Sequence, residues 1–264
     1  MPFPEAPRVI YKNNPLDKVI CQLRFPPILQ IDKEIPADFQ EQVRKDFPGF
    51  CEKKEVALAM PQRIQKEFPA DLLRQMLPKE DKNYEFTSED GVWTVNLTRT
   101  FLALTTRKYT RRDDFKKRLE IPLKALVDIY KPAYFSRIGL RYIDIIRRSA
   151  LELNGVAWCE LLNPYALGLL SAPVVQDRVR SLDSKYEVLL EDNSSLARIA
   201  MALVEWQENN NEECFMIDTD FYTTQKTVVA DVDGRLDYFH IRASRLIQWL
   251  ITKRLHDAME PDTL

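Results

Sequence analysis

Two carboxylates two residues apart, Asp218 and Asp220 in MIDTDFY, are the nearest thing in the chain to a metal-binding pair. Along a strand the side-chain period is two, so both would project from one face within reach of a shared divalent ion. Asp144, in YIDII, is a candidate third member. Opposite them stand Arg24, Arg137 and Arg141, which could hold an anionic nucleotide or phosphate while the acids hold the ion. The same residues also suit a plainer arrangement in which the acids neutralise Arg24, Arg137 and Arg141 across a sheet. No companion histidine or glutamate motif accompanies the pair, so ion pairing is the expected arrangement, and no metal site, cofactor or catalytic residue is assigned.

Other chemistry is thinly supplied. The chain has two histidines, His240 and His256. Both fall on the last expected helix, over four turns apart, and cannot easily share a metal. Residues 231–234, DVDG, resemble part of a calcium loop, but aligning Gly234 with the loop glycine puts Val229 at the first ligand position and His240 at the last. They read instead as an acidic turn before that helix. The densest basic run is RKYTRRDDFKKR, residues 107–118, in which Arg107, Lys108, Arg111 and Arg112 are candidates for a phosphate backbone. Asp113 and Asp114 dilute the run, and a solvated helix start is the expected reading. Cys21, Cys51, Cys159 and Cys214 have none of the close spacings of zinc or redox motifs and are expected as reduced, mostly buried thiols.

The stretch expected to organise all of this is 134–148, YFSRIGLRYIDIIRR, read as the longest strand and the central one. Alternation puts Ile138, Leu140 and Tyr142 on a core face and Arg137, Gly139 and Arg141 on the other, with space over Gly139 for a ligand or a second backbone. Before it the pattern gives a strand at 17–25 and a helix opened by Pro36 with Phe39, Val43 and Phe47 as its buried stripe. One short helix is expected near 70–77. A hairpin is expected at 83–99 around the Asp90-Gly91 turn, then a strand at 101–109 and a helix at 112–130 interrupted at Pro122. After it come a broken helical stretch at 156–170, strands at 184–190, 197–206 and 213–224, and a long helix from about 235 to 259. The order predicts an α+β fold: a mainly antiparallel sheet with helices on one face. Two intimately packed halves, 1–150 and 151–264, or one continuous domain, both accommodate it. The second half echoes the first in reading strands then helix, without a residue-level repeat.

At 264 residues, 45% hydrophobic and 30% charged, the chain has the composition of a globular protein with a sizeable core. Six glycines against sixteen prolines argue against glycine-rich nucleotide loops. A net charge of -2 gives no general attraction to nucleic acid or anionic membranes. With neither a leader pattern nor a long apolar run, a cytoplasmic location is expected, without membrane association. The phrases NNPLDKVICQLRFPP, FSRIGLRYIDII, MIDTDFY and FHIRASRLIQWLITKRLHDAME together resemble a sporadically distributed prokaryotic family of about this length whose activity is uncharacterised. That resemblance implies an accessory gene, in a mobile defence or regulatory locus, and supplies no site residues. The expected function is therefore a non-enzymatic interaction or regulatory protein with a protein partner. An anionic-ligand sensor or metal-dependent phosphoryl-transfer enzyme using Arg24, Arg137, Arg141, Asp218 and Asp220 is the alternative, and nucleic-acid binding through the basic run is the third.

Overall fold

A computed structural model describes residues 2–55, 81–206 and 211–263. The expected helix near 70–77 lies outside them. Two runs with alternating buried side chains, Leu16–Arg24 (β2) and Arg137–Ile146 (β7), pair antiparallel in the middle of one nine-stranded sheet. Outward from β2 lie Phe101–Thr106 (β6), Trp93–Leu97 (β5), Asp81–Thr87 (β4) and Gly49–Glu55 (β3). Outward from β7 lie Glu212–Thr223 (β10), Ser195–Trp206 (β9) and Asp183–Leu189 (β8). Every neighbouring pair is antiparallel. The fold is α+β.

Four strands of each half are ordered the same way, and the first half adds β3 at its outer edge. In the first, β2 leads into two short helices, Leu29–Lys33 (α1) and Ala37–Val43 (α2), then a meander whose last strand returns to β2, then the helix Arg112–Tyr130 (α3). In the second, β7 leads through single helical turns at Trp158–Leu161 and Pro164–Leu167 into a meander whose last strand returns to β7, then the helix Val232–Leu250 (α4). The topology therefore repeats about a pseudo-two-fold axis between β2 and β7, where Cys21 lies opposite Leu140. The sheet runs unbroken through both repeats.

The helices pack on one face, as the alternation requires. Phe39, Phe86, Phe115, Phe215, Phe221 and Phe239 are all essentially inaccessible to solvent, burying most of their apolar area between sheet and helices. The Asp90-Gly91 hairpin forms with Gly91 at φ +68° and the Ser88 N–H donating to the Trp93 carbonyl. Four expectations need correction. First, β7 has 10 residues against 12 in β9 and in β10, and β2 occupies the middle of the sheet, because β3 extends the first half by one strand beyond the second. Second, α3 runs through Pro122 without a break; the ring is buried, and packing against the sheet holds the helix where its own hydrogen bonding is weakened. Third, the last helix stops at Leu250, since Ile251 is extended and bridges to Leu162, and Thr252 caps a separate helix, Lys253–Ala258 (α5), by accepting from the Leu255 N–H. His240 and His256 thus sit on different helices. Fourth, Asp233 and Gly234 lie within the first turn of α4 rather than before it.

A strap completes the molecule. Val9–Tyr11 (β1) pairs with Pro261–Thr263 (β11) as a separate two-stranded ribbon. Ahead of it Phe3 is buried against Phe221 and Trp249, and Gln248 donates to the Pro7 carbonyl. The segment from Phe3 to Asn14 is laid along α4 and the end of the chain, outside the main sheet.

Candidate functional site

The register decides what the polar face of β7 does. Asp220 pairs with Arg141 and Asp218 with Ile143 across β10 and β7, so both acids share a face with Arg137 and Arg141. Arg141 Nε donates to Asp218 Oδ1 at 2.7 Å and Arg137 Nη2 to Asp220 Oδ2 at 2.7 Å. Arg137 also lies over the Tyr222 ring, 4.7 Å from its centroid, while Arg24 donates to Gln22. The five residues share one sheet face as ion pairs and hydrogen bonds, and none lines the cavity described below. Among the described residues no cluster of three His, Cys, Asp or Glu side chains could hold a metal.

The space expected over Gly139 is filled from within: a Cβ there would collide with the guanidinium of Arg137. Glycine lets that group lie flat on the strand and reach Asp220. Gly139→Ala is expected to push the guanidinium off and cost about 1 kcal/mol, the scale of a partly exposed ion pair. In chemical denaturation the cost should vanish in an Arg137→Ala background; an undiminished cost there would mean that the backbone itself requires glycine.

The basic run divides. Arg107, Lys108 and Arg111 are exposed, but Arg112 is 7% exposed and turned inward, its Nη2 bonded to Asp237 at 3.0 Å and Asp233 at 3.3 Å on α4. As the first residue of α3 it joins the two long helices, and it is removed from the surface patch in which sequence reading placed it. The four cysteines are free, with Cys21 and Cys214 buried, Cys159 intermediate and Cys51 exposed.

Asp144 is the unexpected residue. It pairs with Ile217, not with Asp218, so it shares the core face with Ile138, Leu140 and Tyr142 and cannot join the two acids on the other side. It is 6% exposed. No hydrogen bond or ion pair reaches its carboxylate among the described residues. Burial, with a smaller contribution from Asp218 behind the strand, raises its pKa to about 7.

The carboxylate opens onto a cavity of about 190 Å³ between the sheet, α4, the start of α3 and the strap. At the α3 end are Arg112, Tyr109 and His240. The Tyr142 hydroxyl lies 3.0 Å from His240 Nδ1, and burial together with the charges of Arg112 and Arg8 holds the imidazole at a pKa of about 4, so it is neutral at pH 7. Arg112 Nε and Nη1 are buried without a hydrogen-bond partner. Tyr109 packs edge-on against Tyr142; its hydroxyl makes no hydrogen bond of good geometry, and burial lifts its pKa to about 12. Ile217, Ala243 and Ile247 form the apolar wall. The cavity thus has an unpaired carboxyl, an apolar middle and the unpaired Nε and Nη1 of Arg112.

Sequence reading passed over this site, although one signal for it was present. Asp144 has the parity of Ile138, Leu140 and Tyr142, and an acid on a core face demands a partner or a purpose. Among the described residues, no helix is long and apolar enough to cross a membrane. No protein-family model matches the chain, and no curated protein matches it.

Proposed function

We propose that the chain is a small-molecule-binding protein of regulatory rather than catalytic character, with its ligand in the cavity between β7, β10 and α4. One observation carries this reading: Asp144 is nine-tenths buried, has no partner, and faces a cavity. A carboxylate withdrawn from bulk water without an ion-pair partner costs several kcal/mol as a charge. Such a cost persists in a folded chain where the group has a task that packing alone does not supply. An apolar cavity of about 150 Å³ admits benzene, so about 190 Å³ suits a single ring with small substituents. This reading continues the ligand-sensor alternative rather than the protein-interaction role expected first, and its site is the cavity in place of Arg24, Arg137, Arg141, Asp218 and Asp220.

Ala243→Phe places a ring in the cavity and tests the reading. Ring-sized fragments added to the wild type should shift amide resonances of residues 8–16, 109–113, 142–144 and 240–247, and in the filled variant those shifts should disappear. Fragments that shift only surface residues, or that bind the filled variant equally, would remove the proposal.

A second reading has its own support. The other sheet face carries partly exposed Ile143, Ile145, Val204 and Met216 beside the ion pairs, a mixed surface of the kind that docks a protein partner. Accessory function in a defence locus belongs with this second proposal, and a stable partner recovered with the protein at native levels, then lost on Ile143→Glu, is its test.

A further inference from the structure

We propose that the cavity recognises a small organic amine, its ammonium paired with Asp144 and an acceptor group at its far end directed to the Arg112 guanidinium. This rests on the cavity being a ligand site and names the class of ligand. The polarity of the two ends leads to it. Around Asp144 the cavity is lined by Asn14, Pro15, Leu16 and Ile217, and none of these supplies a positive charge. The nearest charge acting on the carboxylate is another acid, Asp218, on the opposite face of the sheet. A cation is therefore the complement this end lacks, and it has to come from outside the chain.

At the other end the demand is reversed. Arg112 uses only Nη2 on Asp233 and Asp237, leaving Nε and Nη1 without acceptors, while the Tyr109 hydroxyl is turned to Tyr142. His240 is already engaged with Tyr142. Donors without acceptors select a carboxylate, carbonyl or hydroxyl oxygen. Between the ends Ile217, Ala243 and Ile247 offer only apolar surface. An aminomethyl-substituted aromatic ring with an oxygen substituent satisfies all three regions within the volume.

Calorimetric titration of the full chain at pH 8 with benzylamine, benzyl alcohol and 4-(aminomethyl)benzoate separates the possibilities. Benzylamine should bind about tenfold or more tightly than benzyl alcohol. That advantage should vanish in Asp144→Asn, a variant of nearly identical shape whose fold is checked by its thermal melt. The benzoate should bind more tightly than benzylamine, with the gain reduced in Arg112→Lys, whose fold is checked in the same way. Equal binding of amine and alcohol, unchanged in Asp144→Asn, would overturn the amine assignment while leaving the cavity as a ligand site. Failure of all three probes to bind would overturn the assignment and count against the site itself.

Discussion

Asp144→Asn should gain stability over the wild type as pH rises, by about 4 kcal/mol between pH 4 and pH 8. The folded protein holds the Asp144 proton to about pH 7, whereas the unfolded chain releases it near the model value of 3.8. Between those values the folded state binds more protons than the unfolded one, so raising the pH destabilises the fold. At 1.36 kcal/mol for each tenfold difference in proton affinity, the interval from 3.8 to about 7 corresponds to about 4 kcal/mol. Asparagine carries no such pH dependence, and any cost of its own unbonded amide is a constant offset. The measured quantity is the difference between denaturation free energies of variant and wild type at a series of pH values. A flat difference would show that the carboxyl is hydrated or paired, and the ligand proposal would lose its main support.

His240 provides the opposite slope in the same cavity. Its folded pKa of about 4 lies below the ordinary 6.5, so the folded state binds fewer protons between those values, and stability is lost as pH falls from 6.5 towards 4. The groups acting on it are Arg112 and Arg8, which oppose its protonation, and Asp237 and Asp113, which favour it. The interval corresponds to about 3 kcal/mol. From pH 4 to 6.5 the two contributions nearly cancel in the wild type. Asp144→Asn should therefore show a rising stability curve in that range, and His240→Gln a falling one. Two opposed slopes from residues facing one cavity would tie both groups to a shared desolvated space.

Much of the fold was legible because strand alternation and turn chemistry are local. The hairpin at Asp90-Gly91, the stripe of Phe39, Val43 and Phe47, and the three strands of the second meander all follow from patterns within a few residues. The topological repeat was not legible, because it consists of which strands pair and leaves no matching residues. The breaks and continuities of the long helices were also decided from outside the segment: Pro122 is held by packing, and Ile251 is drawn out of the helix by its bridge to Leu162. The site itself was half visible. Parity places Asp144 on the core face, but Arg112 is separated from Asp233 and Asp237 by more than a hundred residues, and nothing in the basic run distinguishes the arginine that turns inward from those that stay in solvent. Gly139 shows the converse error, since a glycine beside two arginines suggests room for a ligand and in fact accommodates one of the arginines.

Phe3→Ala should release the strap without unfolding the sheet. Phe3 is 3% exposed, edge-on to Phe221 at 6.5 Å and tilted against Trp249 at 5.9 Å. Truncating a buried phenylalanine costs about 3–5 kcal/mol when the whole fold depends on it. Here the strap can lift without breaking a hydrogen bond of the nine-stranded sheet, because its pairing is to β11, with the Tyr11 hydroxyl on His256 Nδ1 at 2.7 Å and the amides of Lys12 and Asn13 on the carbonyls of Glu260 and Met259. The loss should therefore appear as local opening. Hydrogen exchange at Lys12 and Asn13 is expected to quicken about a hundredfold, the factor equivalent to about 3 kcal/mol, while the amides of β7 and β10 keep wild-type rates. The same opening uncovers the cavity at Arg8, Val9 and Ile10, so benzylamine should enter and leave faster in the variant with a smaller change in affinity. Equal acceleration in strap and sheet would mean that Phe3 supports the global fold, and unchanged exchange at both amides would mean that the ribbon with β11 holds the strap without it.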